Sequence, residues 1–253
     1  MLPSQTLRRT QIASLCLCAL SIPTGQTAAA ALVCQAESAA SLTPVIELYT
    51  SEGCSSCPPA DQWLSTLKAP AAQGQVVAQA FHVAYWDYIG WTDRFANPVN
   101  TVRQKQVAAR NGLAGIYTPQ LVRNGADWRD YSKALNGAAP EASRASIKIQ
   151  GNGKDSFVAS VAPTSPTGPW SAYWSVTEHG HNTKVRAGEN AGESLKHDFV
   201  VRQYVPVGDY SGAQTLNFNA IAATPGHARQ INLVVFEGKT GKTLQALSLA
   251  CQS

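Results

Sequence analysis

Val45-Ile46-Glu47-Leu48-Tyr49-Thr50-Ser51-Glu52-Gly53-Cys54-Ser55-Ser56-Cys57-Pro58-Pro59-Ala60-Asp61 decides the reading of this chain. Val45 to Tyr49 has the composition of a β-strand. Pro58 and Pro59 suit a first helical turn, and Ala60, Trp63, Leu64 and Leu67 then fall on one face of a short amphipathic helix. Two cysteines separated by two residues therefore sit where a strand gives way to a helix. A thiolate at that place meets free backbone donors and the positive end of the helix dipole, which favours the reactive form. Cys54 reads as the exposed attacking sulfur and Cys57, one turn into the helix, as the resolving one.

Working outward, Val76 to Tyr85 reads as a second, mostly apolar strand covered on both sides. An aromatic loop, Trp86-Asp87-Tyr88-Ile89-Gly90-Trp91, follows. A helix is expected between Asn97-Pro98 and Asn111-Gly112, supported by Val99, Val102, Val107 and Ala108. Tyr117-Thr118-Pro119-Gln120-Leu121-Val122 reads as a strand entered through a proline. Asn124-Gly125 signals a two-residue hairpin that returns over Ala126 to Arg129, and a weaker helical stretch runs from Tyr131 to about Ala145. This α/β order resembles the thioredoxin fold, and the resemblance implies that Thr118-Pro119 is a cis pair beside the dithiol, exposing backbone that positions an extended substrate peptide.

After Ala145 the character changes. Ile147 and Ile149 alternate with polar residues, and further strands are expected at Phe157 to Val161, Trp170 to Thr177, Lys184 to Ala187, Phe199 to Tyr204, Thr215 to Phe218, Ile231 to Phe236 and Thr243 to Leu249. Short strands at such spacing suggest a mostly antiparallel, sandwich-like domain. The expected fold class is thus an α/β thioredoxin-like domain followed by an antiparallel β domain. The expected bounds are 1–33 for an export signal and cleavage region, 34–145 for the α/β domain and 146–253 for the β domain.

The export reading rests on order: Arg8 and Arg9, an apolar stretch from Ile12 to Ile22, then Pro23, Gly25 and small residues. Leu7-Arg8-Arg9-Thr10-Gln11-Ile12 lacks the rest of a twin-arginine motif, and Ala31-Leu32-Val33 is a poor lead-in for a lipid anchor on Cys34. No stretch reaches the apolar length of a membrane span. The 253 residues are 44% hydrophobic and 14% charged, which suits one or two packed domains. The 20 basic and 16 acidic residues are scattered, and no basic run carries interleaved aromatics, so no nucleic-acid partner is expected. A periplasmic or secreted location follows. Without the signal, and with it Cys16 and Cys18, four cysteines remain, and the economical pairing is Cys54 with Cys57 and a structural Cys34–Cys251 bond. The rival for the terminal pair is two free or intermolecular thiols.

Four stretches carry a closer resemblance: Leu48 to Asp61, His82-Val83-Ala84-Tyr85-Trp86-Asp87, Tyr117-Thr118-Pro119-Gln120, and Leu195-Lys196-His197-Asp198-Phe199-Val200-Val201-Arg202. Together they resemble a secreted, thioredoxin-like bacterial family catalogued as a domain of unknown function. The family name brings no activity. Thioredoxin itself has tryptophan where this chain has Gly53, and a buried aspartate where it has Leu48. Glu47 is one residue removed and points to the other face of its strand. Ala84 stands where the family carries an acidic residue.

The reading that follows is a thiol-disulfide oxidoreductase acting on protein or peptide disulfides through Cys54 and Cys57, with Thr118 and Pro119 positioning the substrate, an unidentified redox partner and no diffusible cofactor. One alternative is a copper or zinc carrier using the two thiolates with His82, although no second Cys-x-x-Cys or spaced histidine pair completes a ligand set, and no metal site is expected. Another is a non-catalytic binding protein whose Cys-x-x-Cys is a fixed brace. His179 and His181 read as part of a solvated turn, and His197 and Asp198 as structural polar contacts. Trp86, Tyr88, Trp91 and Phe95 divide between a peptide groove and the core. No phosphate loop or nucleophile elbow is present.

Overall fold

The computed structural model describes Met1 and residues 34–135, 140–151, 153, 155–164 and 168–251, so the expected export segment, residues 1–33, lies outside the described residues apart from Met1. β1 (Gln35–Glu37) precedes β2 (Val45–Thr50), which runs through the dithiol loop into α1 (Pro58–Ser65) and α2 (Lys68–Ala72). β3 (Val77–His82) follows, then a 3-10 turn over Ala84–Ile89 and α3 (Pro98–Arg110). Asn97 caps α3 by accepting a hydrogen bond from Val99 N at 3.0 Å, and Pro98 occupies its first turn. β4 (Gln120–Arg123) and β5 (Ala126–Trp128) form a hairpin whose turn residues Asn124 and Gly125 have φ of 50° and 85°, the left-handed values that such a turn requires.

The helix expected from Tyr131 toward Ala145 does not form among the described residues. Only a 3-10 turn, Tyr131–Lys133, is present. Asn136, Gly137 and Pro140 in that stretch are poor helix formers. The remaining strands are β6 (Ala145–Gly151), β7 (Ser156–Pro163), β8 (Trp170–Glu178), β9 (His181–Lys184), β10 (Ser194–His197), β11 (Val200–Tyr210), β12 (Gln214–Asn219), β13 (Arg229–Glu237) and β14 (Thr243–Leu249).

The main sheet does not stop near residue 145. Eight strands run in the order β14-β13-β8-β11-β3-β2-β4-β5, and the described residues from Cys34 to Cys251 form one compact unit. The junction is β11 against β3, parallel, through the Val200 and Ala80 pair. β2 and β3 are also parallel, and the other neighbours in this sheet are antiparallel. A second sheet, β1-β6-β7-β12, and a two-stranded ribbon of β9 and β10 complete the strands. The described chain is thus mostly β.

The alternation of side chains builds three cores. Trp174, Leu233 and Val235 join Ile147, Phe157 and Leu216 of the second sheet in a sandwich-like interior. Their strand neighbours Tyr173 and Val234 face the opposite way, into a cluster with Tyr49, Phe81 and Val107 of α3. Ile46 and Leu48 pack instead on Leu64 of α1 and Ala71 of α2. β2 is therefore buried on both faces, as a central strand between helices must be. Cys34 and Cys251 are disulfide-bonded across 217 residues of sequence, with Cα atoms 5.5 Å apart. Chain entropy makes such a closure worth about 5 kcal/mol as an upper figure. Among the described residues no helix is long and apolar enough to cross a membrane.

Candidate functional site

The dithiol is oxidised. Cys54 and Cys57 are bonded, with Cα atoms 5.4 Å apart, and Cys57 is the N-cap residue of α1. Ala60 N and Asp61 N both donate to Cys57 O, at 2.9 and 3.1 Å, while Pro58 and Pro59 have no N–H to offer. The free helix donors expected beside a Cys54 thiolate are therefore mostly absent. The donor within reach is the Ser56 hydroxyl, 3.4 Å from Cys54 Sγ.

Cys54 is not the exposed sulfur that its sequence position suggests. It is 1% exposed, although Ser55 and Ser56 are exposed beside it. The connection between β9 and β10 lies over the loop: Asn190 Nδ2 donates to Cys54 O at 3.0 Å and to Glu52 O at 2.8 Å, and Ser55 N donates to Glu189 Oε2 at 3.0 Å.

Thr118-Pro119 is a cis peptide bond. Gln120 is paired with Tyr49 in the β2/β4 ladder, so Pro119 stands next in register, at the end of β2 from which the dithiol loop departs. Trp86 connects the two. Its Nε1–H donates to Thr118 Oγ1 at 2.7 Å, and a Cβ placed on Gly53 would come within 3.0 Å of Trp86 Cβ. The absence of a side chain at Gly53 is what admits Trp86 here.

Behind the dithiol lies a buried polar cluster that no single stretch of sequence reveals. Glu52, Asp61, His82, Asp93 and His197 are between 0% and 7% exposed. Asp93 Oδ2 lies 2.6 Å from His82 Nδ1 and accepts from Glu52 N at 2.9 Å, and Asp93 Oδ1 accepts from Phe95 N at 2.9 Å. Burial opposes ionisation of Asp93, but the charge and hydrogen bond of His82 outweigh it and hold the carboxyl down to about 2. Burial likewise disfavours a charged His82 ring, and Asp93 reverses the balance, raising its pKa. Glu52 is held below the usual carboxylate range by His197 and the Trp91 indole, against its own burial. Asp61 goes the other way: burial raises it, and its carboxylate accepts from the Thr50 hydroxyl at 2.8 Å.

With this geometry in place, comparison with known proteins is informative. Residues 45–237 match the family described as Protein of unknown function (DUF1223). The chain belongs to that family. The DUF1223 region runs from the first residue of β2 to the last of β13, so it takes in the dithiol, the cis proline and the polar cluster, and it leaves Cys34 and Cys251 outside. No curated protein matches the sequence. Among solved structures, an X-ray crystal structure of a protein from Agrobacterium tumefaciens is similar, with 24% identity and a TM-score of 0.62, over 83% of this chain and 94% of that one. HBP35 of Porphyromonas gingivalis is similar at 13% identity and a TM-score of 0.54, over 83% of this chain and 76% of that one. Both likenesses concern fold alone.

The other residues singled out in this DUF1223 sequence fall as follows. Glu47 lies on the α3 face of β2, bound by Arg103, and takes no part in the dithiol loop. His181 is buried rather than solvated: it stacks on His227 with ring centroids 3.8 Å apart, and Glu178 Oε2 lies 3.0 Å from its Nε2. His179 is partly buried, and Gly180 between them is the exposed turn. His197 joins the polar cluster, whereas Asp198 turns to Lys68 at 2.9 Å. Of the four aromatics, Phe95 is core, Trp86 and Trp91 are half-buried and Tyr88 is 83% exposed.

Proposed function

We propose that this protein is an exported, periplasmic or secreted thiol-disulfide oxidoreductase, thioredoxin-like in the half that carries β2, α1 and β4, and acting on protein or peptide disulfides. The observation that carries the reading is the closed Cys54–Cys57 pair at the start of α1, with the cis Thr118-Pro119 bond next in register across β2 and β4. A second disulfide joining Cys34 to Cys251 supports an oxidising compartment.

In the reaction, the reduced form attacks first. The Cys54 thiolate forms a bond to one sulfur of the substrate disulfide and expels the other as a thiolate, which takes up a proton. The Cys57 thiolate then attacks Cys54 Sγ, closes the Cys54–Cys57 bond and releases the second substrate thiol. The substrate is reduced by two electrons and the protein oxidised by two, to be restored by a dithiol partner. The Ser56 hydroxyl stabilises the Cys54 thiolate, and the backbone at Thr118 and Pro119 orients the peptide. Because Cys54 is covered, the Glu189 and Asn190 contacts must open for substrate to enter.

That same cover supports a second reading, in which the pair is a fixed brace in a binding protein. Trapping distinguishes them. Reduced Cys57→Ser protein, offered a peptide disulfide, is expected to hold the peptide on Cys54 as a mixed disulfide detectable by mass, and Cys54→Ser protein is expected to hold none. No adduct on the Cys57→Ser protein, with no exchange by the unaltered protein, would overturn the oxidoreductase reading.

A further inference from the structure

The buried cluster behind the dithiol contains a set of groups that the redox reading does not use. We propose that Asp61, His82 and His197 form a binding site for a divalent cation of the zinc class. Asp61 comes from α1, His82 from the end of β3 and His197 from the end of β10, and one ligating atom from each lies within 4.8 Å of the other two. Two imidazole nitrogens and one carboxylate oxygen are a donor set suited to zinc, with a further position left for water.

The unsatisfied atoms point to the same place. His82 uses Nδ1 toward Asp93, at 2.6 Å, and its Nε2 is buried with no hydrogen-bond partner among the described residues. An imidazole backed by a carboxylate through one nitrogen and free at the other is how metal-binding histidines are oriented. His197 repeats the pattern: Nε2 lies 3.2 Å from Glu52 Oε1 without hydrogen-bond alignment, and Nδ1 has no hydrogen-bond partner among the described residues. A buried polar atom left unpaired costs on the order of 1–3 kcal/mol, so several in one cluster need an explanation.

Charge balance adds an independent argument. Glu52, Asp61 and Asp93 are all buried, and among the described residues none of them is ion-paired with lysine or arginine; their partners are histidine, hydroxyl, indole and backbone groups. Three carboxylates facing two imidazoles lack positive charge, and a divalent ion supplies it. The surroundings are dry. Phe95 packs on both rings, with centroids 5.3 Å from His82 and 5.7 Å from His197, and the two imidazoles meet edge to face at 5.0 Å. Ligands about 2.1 Å from a tetrahedral zinc stand about 3.4 Å apart, so the three groups close by at most about 1.4 Å when the ion enters.

Neither cysteine belongs to this set, so the site exists with the Cys54–Cys57 bond intact and stands or falls separately from the redox reading. The test uses the full mature chain with its disulfides oxidised, refolded with zinc or cobalt(II) and freed of excess ion. One equivalent of metal is expected by mass analysis. The cobalt form should show the visible bands of nitrogen and oxygen ligation without thiolate charge transfer, unchanged in the Cys54→Ser/Cys57→Ser protein. Asp93→Asn, which removes the carboxylate behind His82 and leaves one acceptor oxygen in place of two, is expected to weaken zinc binding about ten- to a hundredfold. His197→Gln should abolish stoichiometric binding. No stoichiometric metal in the unaltered protein overturns the proposal and leaves an ion-free network of histidines and carboxylates. Thiolate bands that vanish in the double cysteine variant overturn it in favour of a dithiol metal site.

Discussion

Trp86 Nε1–H donates to Thr118 Oγ1 at 2.7 Å, and the same tryptophan fills the space that the missing side chain of Gly53 leaves, so one residue ties the dithiol loop to the cis Thr118-Pro119 bond. Thr118→Val keeps the shape and removes the acceptor, leaving a half-buried indole N–H without its partner. A loss of about 1 kcal/mol in urea unfolding is expected, together with slower disulfide exchange. Trp86→Phe, which removes the donor as well, should make the further change at Thr118 nearly neutral. Equal and additive costs for the two substitutions would show that the bond couples nothing.

Glu47 and Arg103 make a buried ion pair on the α3 face of β2. Besides the direct contact of Arg103 Nη2 with Glu47 Oε1, Arg103 Nε donates to Glu47 Oε2 at 3.2 Å, while Tyr49 and Tyr173 hydroxyls donate at 2.7 and 2.9 Å. Arg103→Met strands a carboxylate in a dry site, and a cost of about 3–5 kcal/mol is expected. Adding Glu47→Gln should recover part of it, because the uncompensated charge is then gone. Urea midpoints of the two single variants and the double variant check this.

Asp127, beside the cis proline, accepts from the Tyr117 hydroxyl at 2.6 Å and from Gln120 Nε2 at 2.9 Å. Burial pushes its carboxyl up, but these donors and Arg129 outweigh that and hold it below the ordinary 3.8. As pH falls through 3.8 the unfolded chain binds this proton before the folded one does, so the contribution is present above that pH and lost below it. Tyr117→Phe removes the leading donor. Its urea midpoint should therefore fall less steeply than that of the unaltered protein between neutral pH and pH about 3. Parallel profiles would remove Tyr117 as the cause.

What was legible in the sequence was local. Asn124-Gly125 announces its hairpin because few other pairs accept two successive positive φ values, and Asn97-Pro98 announces the start of α3 because cap and proline act on adjacent residues. The buried face of α3 was not legible. Val102 supported the helix by its apolar character yet is 53% exposed, whereas Arg103 and Gln104 are buried, because their partners Glu47 and Gln120 come from other elements, β2 and β4. The continuous sheet across residue 145 was hidden for the same reason: Val200 beside Ala80 leaves no periodic trace in either segment. The polar cluster was missed because Asp61 reads as an ordinary acidic residue in a first helical turn, His82 as part of the Val76 to Tyr85 strand and a metal ligand only together with the two thiolates, and His197 as a structural polar contact. Only the packing of α1, β3 and β10 brings them together.

The central claim is that the Cys54–Cys57 bond turns over while the Cys34–Cys251 bond does not. Equilibrating the mature protein in glutathione buffers, trapping free thiols and locating them by mass reads both bonds in one experiment. Reduction of the Cys54–Cys57 pair within the glutathione range, with Cys34 and Cys251 still joined, is the predicted result. A Cys54–Cys57 bond that stays closed far below that range, alongside the terminal one, would contradict the account and make the pair a brace.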